Sequence, residues 1–312
     1  MCKYALKHSV FFLEAAPSFS FYCPFRAPVK CAMMKGEWKR SVKHVKQPRN
    51  PRRLVVKVGT STLTRETGSL NLQNMEHLAR VLADLEGMGY QPVLVSSGAI
   101  GIGTKKLRLG ERPTELRMKQ AAAAVGQCTM MHVKLFAEYN RTVAQILLTG
   151  EDVESPVRSE HLHNTFEALL ELGVIPVVNE NDSVSSAEIE TGQCKVLGDN
   201  DTLSAIVARL CGAGLLVLFS DIDGLYDADP RTHPDARLIH QVEAITPELR
   251  AMAGGAGTWR GTGGMATKLN AAQLCLEAGV DMVIANGARM EALYDIVEGK
   301  NVGTRFSARR GA

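Results

Sequence analysis

From Arg53 onward, short β-rich apolar runs alternate with longer segments whose apolar residues recur at helical spacing. This alternation constrains the fold more than any other feature of the 312-residue chain. Leu54-Val-Val-Lys-Val58 reads as a buried strand. Leu72, Met75, Leu78, Val81, Leu82 and Leu85 then mark one face of a helix that Gly87 and Gly89 stop. Pro92-Val-Leu-Val95 is a second strand, and an Ala-rich helix is predicted around 117–139. Strand 143–148, helix 160–172 and strand 174–178 follow. Alternation on either side of Thr191-Gly192 predicts a hairpin within 183–197. Helix 201–211, strand 215–219, helix 265–278, strand 280–284 and helix 289–297 come next, and Gly303-Thr-Arg-Phe306 reads as a closing strand of the same sheet. Strands separated by helices of this length specify βαβ units. The expected architecture is therefore α/β: an αβα sandwich with a mostly parallel central sheet, occupying residues 53–309.

Residues 1–52 stand apart from this pattern. Residues 1–53 carry 12 Lys or Arg against 2 acids, whereas the remainder carries 24 against 31. The mildly acidic body gives no support to nucleic-acid binding by the main domain. The basic segment reads either as a start placed too early, with Met33 or Met34 the true beginning, or as a targeting or binding arm. The longest apolar run considered for a membrane span, Leu215–Phe219, has five residues, far short of the roughly 18 that a spanning helix needs. The seven cysteines (2, 23, 31, 128, 194, 211 and 275) are odd in number and never spaced C-x-x-C. That pattern argues against a disulfide framework or a zinc site and suits reduced thiols in the cytoplasm.

In open α/β sheets, ligands bind beyond the carboxyl ends of the strands. That rule selects Lys57–Ser61, Ser96–Gly98, Asn179–Asp182 and Ser220–Asp223. A lysine inside an apolar strand is costly to bury without an anionic partner, and Gly59-Thr60-Ser61 directly after Lys57 offers N–H groups to such an anion. Gly261-Thr-Gly-Gly264-Met-Ala-Thr-Lys268 is a second Gly-rich loop opening a helix. It places Lys268 near the positive end of the macrodipole, where a bound phosphate would resolve the conflict. Neither loop matches the Walker pattern, and no G-x-G-x-x-G stands in a βαβ context. In Gly198-Asp199-Asn200-Asp201, Asp201 or Asn200 is the expected helix cap, which leaves Asp199 as the candidate to hold the two lysines or a Mg²⁺ ion in place.

Taken together, these motifs, with Ser220-Asp-Ile-Asp-Gly-Leu-Tyr226 and Asp229-Pro-Arg231, resemble the amino-acid kinase family over about residues 53–307. The resemblance is to the members that phosphorylate the γ-carboxylate of glutamate at the start of proline synthesis. It implies ATP and Mg²⁺ as cofactors and no protein-bound metal. Lys57, Lys268 and Asp199 would be catalytic. Lys57, Gly59, Ser220, Asp221, Thr262, Gly263, Gly264, Met265, Ala266, Thr267 and Lys268 would bind the nucleotide. Ser97, Asp182 and Asn200 would bind glutamate, with Asp182 suited to its ammonium group. The resemblance also implies feedback inhibition by proline and a homo-oligomer, with neither nucleic acid nor a membrane as partner. Many members carry a C-terminal PUA domain, for which this chain leaves no room before Ala312, and residues 189–197 look longer than the usual loop. The alternatives are a kinase for acetylglutamate, aspartate, carbamate or UMP, and a catalytically silent sensor of glutamate or proline.

Overall fold

The computed structural model describes residues 49–65, 69–130, 133–184, 197, 199–230, 232–252 and 264–307. The basic leader and most of the expected hairpin lie outside these residues. Six strands run parallel: β1 (Asn50–Val58), β2 (Gln91–Ser96), β3 (Val143–Leu148), β4 (Ile175–Glu180), β5 (Ala213–Ser220) and β9 (Asp281–Asn286). Between the last two lie the two-residue strands β6 (Leu225–Tyr226), β7 (Leu238–Ile239) and β8 (Gln241–Val242). The closing strand β10 (Thr304–Phe306) joins the main sheet as expected, antiparallel to β9, and pairs with β8 on its other side. The spatial order is β3-β4-β2-β1-β5-β9-β10-β8, with β6 and β7 forming a separate ribbon.

The helices are α1 (Thr60–Leu63), α2 (Leu72–Gly87), α3 (Ala99–Lys106), α4 (Leu116–Met130), α5 (Val133–Ala137), α6 (Gly150–Glu154), α7 (Pro156–Glu171), α8 (Asn200–Leu210), α9 (Pro247–Met252), α10 (Met265–Ala278) and α11 (Ala292–Val297). They cover the sheet on two sides, and the period-two alternation of a strand separates two cores. On β1, Leu54, Val56 and Val58 pack with Leu78, Leu82 and Leu85 of α2, while Val55 faces the opposite core with Leu203 and Val207 of α8 and Leu269 of α10. Arg53 and Lys57 share the parity of Val55, so strand geometry alone turns both toward α8. The expected αβα sandwich is the observed fold. No helix among the described residues is long and apolar enough to cross a membrane.

The stretch predicted as one helix over 117–139 is helical over α4 and α5, with residues 131 and 132 between them outside the described residues. One feature differs from expectation. The sequence Ala99-Ile-Gly-Ile-Gly-Thr, whose glycines argue against a helix, forms α3 because those glycines serve packing. A Cβ on Gly103 would run into the backbone carbonyl of Ala122 on α4, and one on Gly126 of α4 would run into that of Ala99. The two helices therefore lie backbone against backbone, a proximity that no larger residue permits.

Candidate active site

The parallel ladders bring the selected strand ends to one edge. Lys57 is level with Val95 on β2 and Leu218 on β5, Val58 with Ser96, Val95 with Val178, and Ser220 with Asn286. The chain runs from β1 to β2 on one side and later returns through β5 on the other. The end of β1 is therefore the point where the winding reverses, the usual place for a ligand.

At that point Lys57 and Lys268 are both buried, with 8% and 7% of their surface exposed, and both reach Asp201, which is 2% exposed. Lys57 Nζ lies 2.5 Å from Asp201 Oδ1, and Lys268 Nζ lies 3.2 Å from Oδ2. The Thr267 hydroxyl has one proton for two acceptors, Asp201 Oδ2 at 3.0 Å and the Gly264 carbonyl at 2.8 Å. Burial by itself would raise the Asp201 carboxyl pKa, but the Lys57 and Lys268 ammonium groups outweigh it and hold the value at about 2. Asp201 is therefore a fixed negative charge at neutral pH. Two ammonium groups against one carboxylate leave an excess positive charge in a low-dielectric setting, which favours an anion.

The acid expected to hold the lysines is not the one that does. Helix α8 begins at Asn200, one residue earlier than the apolar pattern suggests, which makes Asp199 its N-cap in extended conformation. Asp199 Oδ1 accepts the N–H groups of Asp201 and Thr202 at 2.8 and 2.9 Å, and Oδ2 accepts the Thr202 hydroxyl at 3.1 Å. With its oxygens turned into the helix end, Asp199 has the capping role and Asp201, two residues on, has the lysines.

Three other helices at this edge start without a side-chain cap. Gly59 precedes α1, Gly98 precedes α3 and Gly264 precedes α10, so N–H groups face the site unpaired by any cap. A Cβ on Gly59 would meet Ser61 Oγ at 3.7 Å and Lys57 Nζ at 3.8 Å, both ordinary contacts. The protein itself thus tolerates a side chain there, and the open space lies beside the Lys57 ammonium. Gly98 is different: it holds φ 95°, and a Cβ would lie 2.5 Å from Thr60 Oγ1.

On the other flank, the buried Ser97 hydroxyl donates to the Val58 carbonyl at 3.2 Å. Asn179, next to last in β4, has Nδ2 buried and unpartnered, and Asn200 has an unpartnered buried Oδ1. Buried amide groups left in this state are rare in folded proteins, and ordered water, an ion or a ligand ordinarily completes their hydrogen bonding. Asp182 follows β4, half-buried, on the turn held by the Asn181 N–H to the Leu148 carbonyl. Ser220 ends β5, its hydroxyl 3.1 Å from Asp221 Oδ1, and Asp221 is exposed. Gly264, Met265 and Ala266 form the open start of α10, and Thr262 and Gly263 lie outside the described residues. Gln127, which no motif flagged, is buried on α4 and donates to the Glu180 carbonyl at 2.8 Å, fastening that helix to the end of β4. Among the described residues no group of three or more His, Cys, Asp or Glu is placed to hold a metal ion.

Sheet order, two buried lysines sharing one carboxylate and open helix starts define an α/β phosphotransferase site, and the sequence comparison agrees. Residues 52–286 match the model of the amino acid kinase family, and the chain belongs to that family. The chain is 52% identical over 265 residues to a glutamate 5-kinase of Clostridium perfringens, covering 84% of this chain and 98% of that protein. It is 56% identical over 257 residues to a glutamate 5-kinase of Clostridium tetani, covering 82% and 94%. Among solved structures, UMP kinase from Bacillus anthracis superposes with a TM-score of 0.56 at 15% identity, over 84% of this chain and 98% of that one. An isopentenyl phosphate kinase gives 0.54 at 19% identity, over 82% and 100%. At such identities these two share the fold.

Proposed function

We propose that this chain transfers the γ-phosphoryl group of ATP to the γ-carboxylate of L-glutamate, giving γ-glutamyl phosphate and ADP, the first step of proline synthesis. The observation that carries this reading is the pair of buried lysines sharing one carboxylate beside uncapped helix starts, in a chain about half identical to glutamate 5-kinases. The acceptor carboxylate is ionised at neutral pH, so the reaction needs no general base. It needs positioning and positive charge around the phosphoryl group in transit. Lys57 and Lys268 supply that charge, and Asp201 holds them a fixed distance apart. The open N–H groups after Gly59 and Gly264 receive phosphate oxygens, and Ser220 and Asp221 flank the nucleotide.

On the acceptor side, Asp182 pairs with the glutamate ammonium, and Ser97 with the start of α3 receives a carboxylate. Asn179 and Asn200 complete their hydrogen bonds on the same molecule. Both oxygens of Asp201 are taken by lysines, so this carboxylate serves the ammonium groups and not a metal ion. Mg²⁺ belongs to the nucleotide and arrives with it. Proline, which shares the α-amino and α-carboxyl groups of glutamate, competes for the acceptor site of a cytoplasmic homo-oligomer.

Hydroxylamine converts an acyl phosphate to a hydroxamate, so hydroxamate formed with ATP and glutamate, and not with acetylglutamate, aspartate, carbamate or UMP, is the expected result. Asp182→Asn should raise KM for glutamate far more than KM for ATP. Binding of glutamate or proline without ADP release would replace this reading with that of a silent sensor.

A further inference from the structure

The geometry points to Asn286 as a positioning residue that sets the nucleotide side of the site, an inference that rests on the kinase reading above. Asn286 ends β9 beside Ser220 of β5. Its Oδ1 accepts the Ala288 N–H at 2.9 Å, which settles the orientation of the amide. Nδ2 is then turned to Asp223 Oδ1, also at 2.9 Å. The other Asp223 oxygen accepts the Tyr226 hydroxyl at 3.2 Å. The neighbouring Gly287 donates its N–H to the Ser220 carbonyl at 2.8 Å.

The same turn also touches the phosphate side. A Cβ on Gly287 would come within 2.8 Å of Thr62 Oγ1 and 3.3 Å of Phe219 Cβ, and Thr62 lies on α1, directly after Gly59. The turn after β9 thus grips the Ser220–Gly224 turn through one backbone and one side-chain bond while α1 packs against its glycine. Neither Asn286 nor Asp223 touches the lysine cluster, and both are positioned to act through Ser220 and Asp221. A hydrogen bond to a charged carboxylate is among the stronger neutral–ionic contacts. Losing it frees the Ser220–Gly224 turn while leaving the glutamate flank, three and more strands away, untouched.

The test compares Asn286→Ala, Asn286→Asp and the reciprocal swap Asp223→Asn with Asn286→Asp in the full chain. Hydroxamate formation is followed with ATP and glutamate varied in turn, and melting temperatures are measured alongside. The single variants are expected to raise KM for ATP about tenfold with KM for glutamate unchanged. The swap reverses donor and acceptor, preserves the bond and should restore KM for ATP. Should Asn286→Ala fail to fold, Asn286→Asp against the swap makes the same comparison, because like charges face each other only in the former. An unchanged KM for ATP, equal shifts in both Michaelis constants, or a swap that restores nothing would overturn the inference while wild-type activity stands. A wild-type protein that forms no hydroxamate would overturn the kinase reading itself.

Discussion

Strand β1 carries two buried cations four residues apart on one face, and their surroundings differ. Arg53, at the amino end, makes a paired contact with both oxygens of Glu167, reaches Gln91 Oε1 at 3.0 Å and donates to the carbonyl of Cys211, which caps the carboxyl end of α8. Its charge is matched and it sits at the negative end of the helix dipole. The Arg53 hydrogen bond in turn holds the Glu167 carboxyl below its usual range. Lys57 lies near the opposite end of the same helix, where the dipole is positive, and divides one carboxylate with Lys268. One cation is neutralised by the fold. The other shares its carboxylate with a second lysine, and the role proposed for it in phosphoryl transfer rests on that surplus. Burial alone does not suggest which of two charges is structural, whereas the balance of partners does.

The contrast is most severely tested at the lysines. Lys57→Ala and Lys268→Ala should each lower kcat by about 100- to 1000-fold, the range for removing one preorganised donor from a transition state. The fold should survive with a modestly lower melting temperature, since the remaining lysine still balances Asp201 one to one while the other's share of its stabilisation is lost. Unchanged turnover would remove that lysine from the chemistry.

Asp201→Asn should cost both activity and stability. The Asp201 pKa is depressed from its ordinary value to about 2. Its stabilisation is therefore complete above the unfolded pKa near 4 and lost as pH falls through 2, amounting to about 2 kcal/mol. Urea denaturation at pH 7 and pH 2.5 should show the gap between wild type and variant narrowing in acid. A constant gap would mean that the ammonium groups do not hold the carboxylate.

Arg53→Met should do the reverse of the lysine variants, with kcat retained and stability lowered by about 1–3 kcal/mol through the unpaired Glu167 and Cys211 carbonyl. A loss of turnover with an intact melting curve would erase the distinction between the two cations. The smallest effect is expected for Asp199→Ser, which keeps a capping oxygen and should change stability by less than about 0.5 kcal/mol. If it matches Asp201→Asn in lost activity, Asp199 acts on the substrate as well as on the helix.

Sequence pattern was sufficient for the sheet because a buried parallel strand must be a continuous apolar run, as in Leu54–Val58 and Leu215–Phe219, and a polar residue breaking such a run stands out. Lys57 was legible for that reason. Asp199 and Asp201 were not separable, since either acid can cap a helix and the choice depends on whether the first helical residue is 200 or 201. That one-residue difference is fixed by tertiary contacts to Lys57 and Lys268. Helix α3 was hidden because its glycines answer to α4, which lies elsewhere in the sequence. Gln127 and Asn286 carry no local signal, because each acts through a strand end remote in the chain.

The bridge at Asp201 also has a temporal side. Lys57, Asp201 and Lys268 come from well-separated parts of the chain. At roughly 5–20 residues per second, a ribosome releases Lys57 on the order of ten seconds before the carboxylate that will neutralise it, and the second lysine later still. β1 likewise waits for β5, its partner on one side, while β2 on the other is already made. The nascent amino-terminal half thus carries a central strand with an open edge and an unmatched cation. The bridge cannot close until residue 268 has emerged, so a chain interrupted before Lys268 carries the Lys57–Asp201 pair without its second ammonium group.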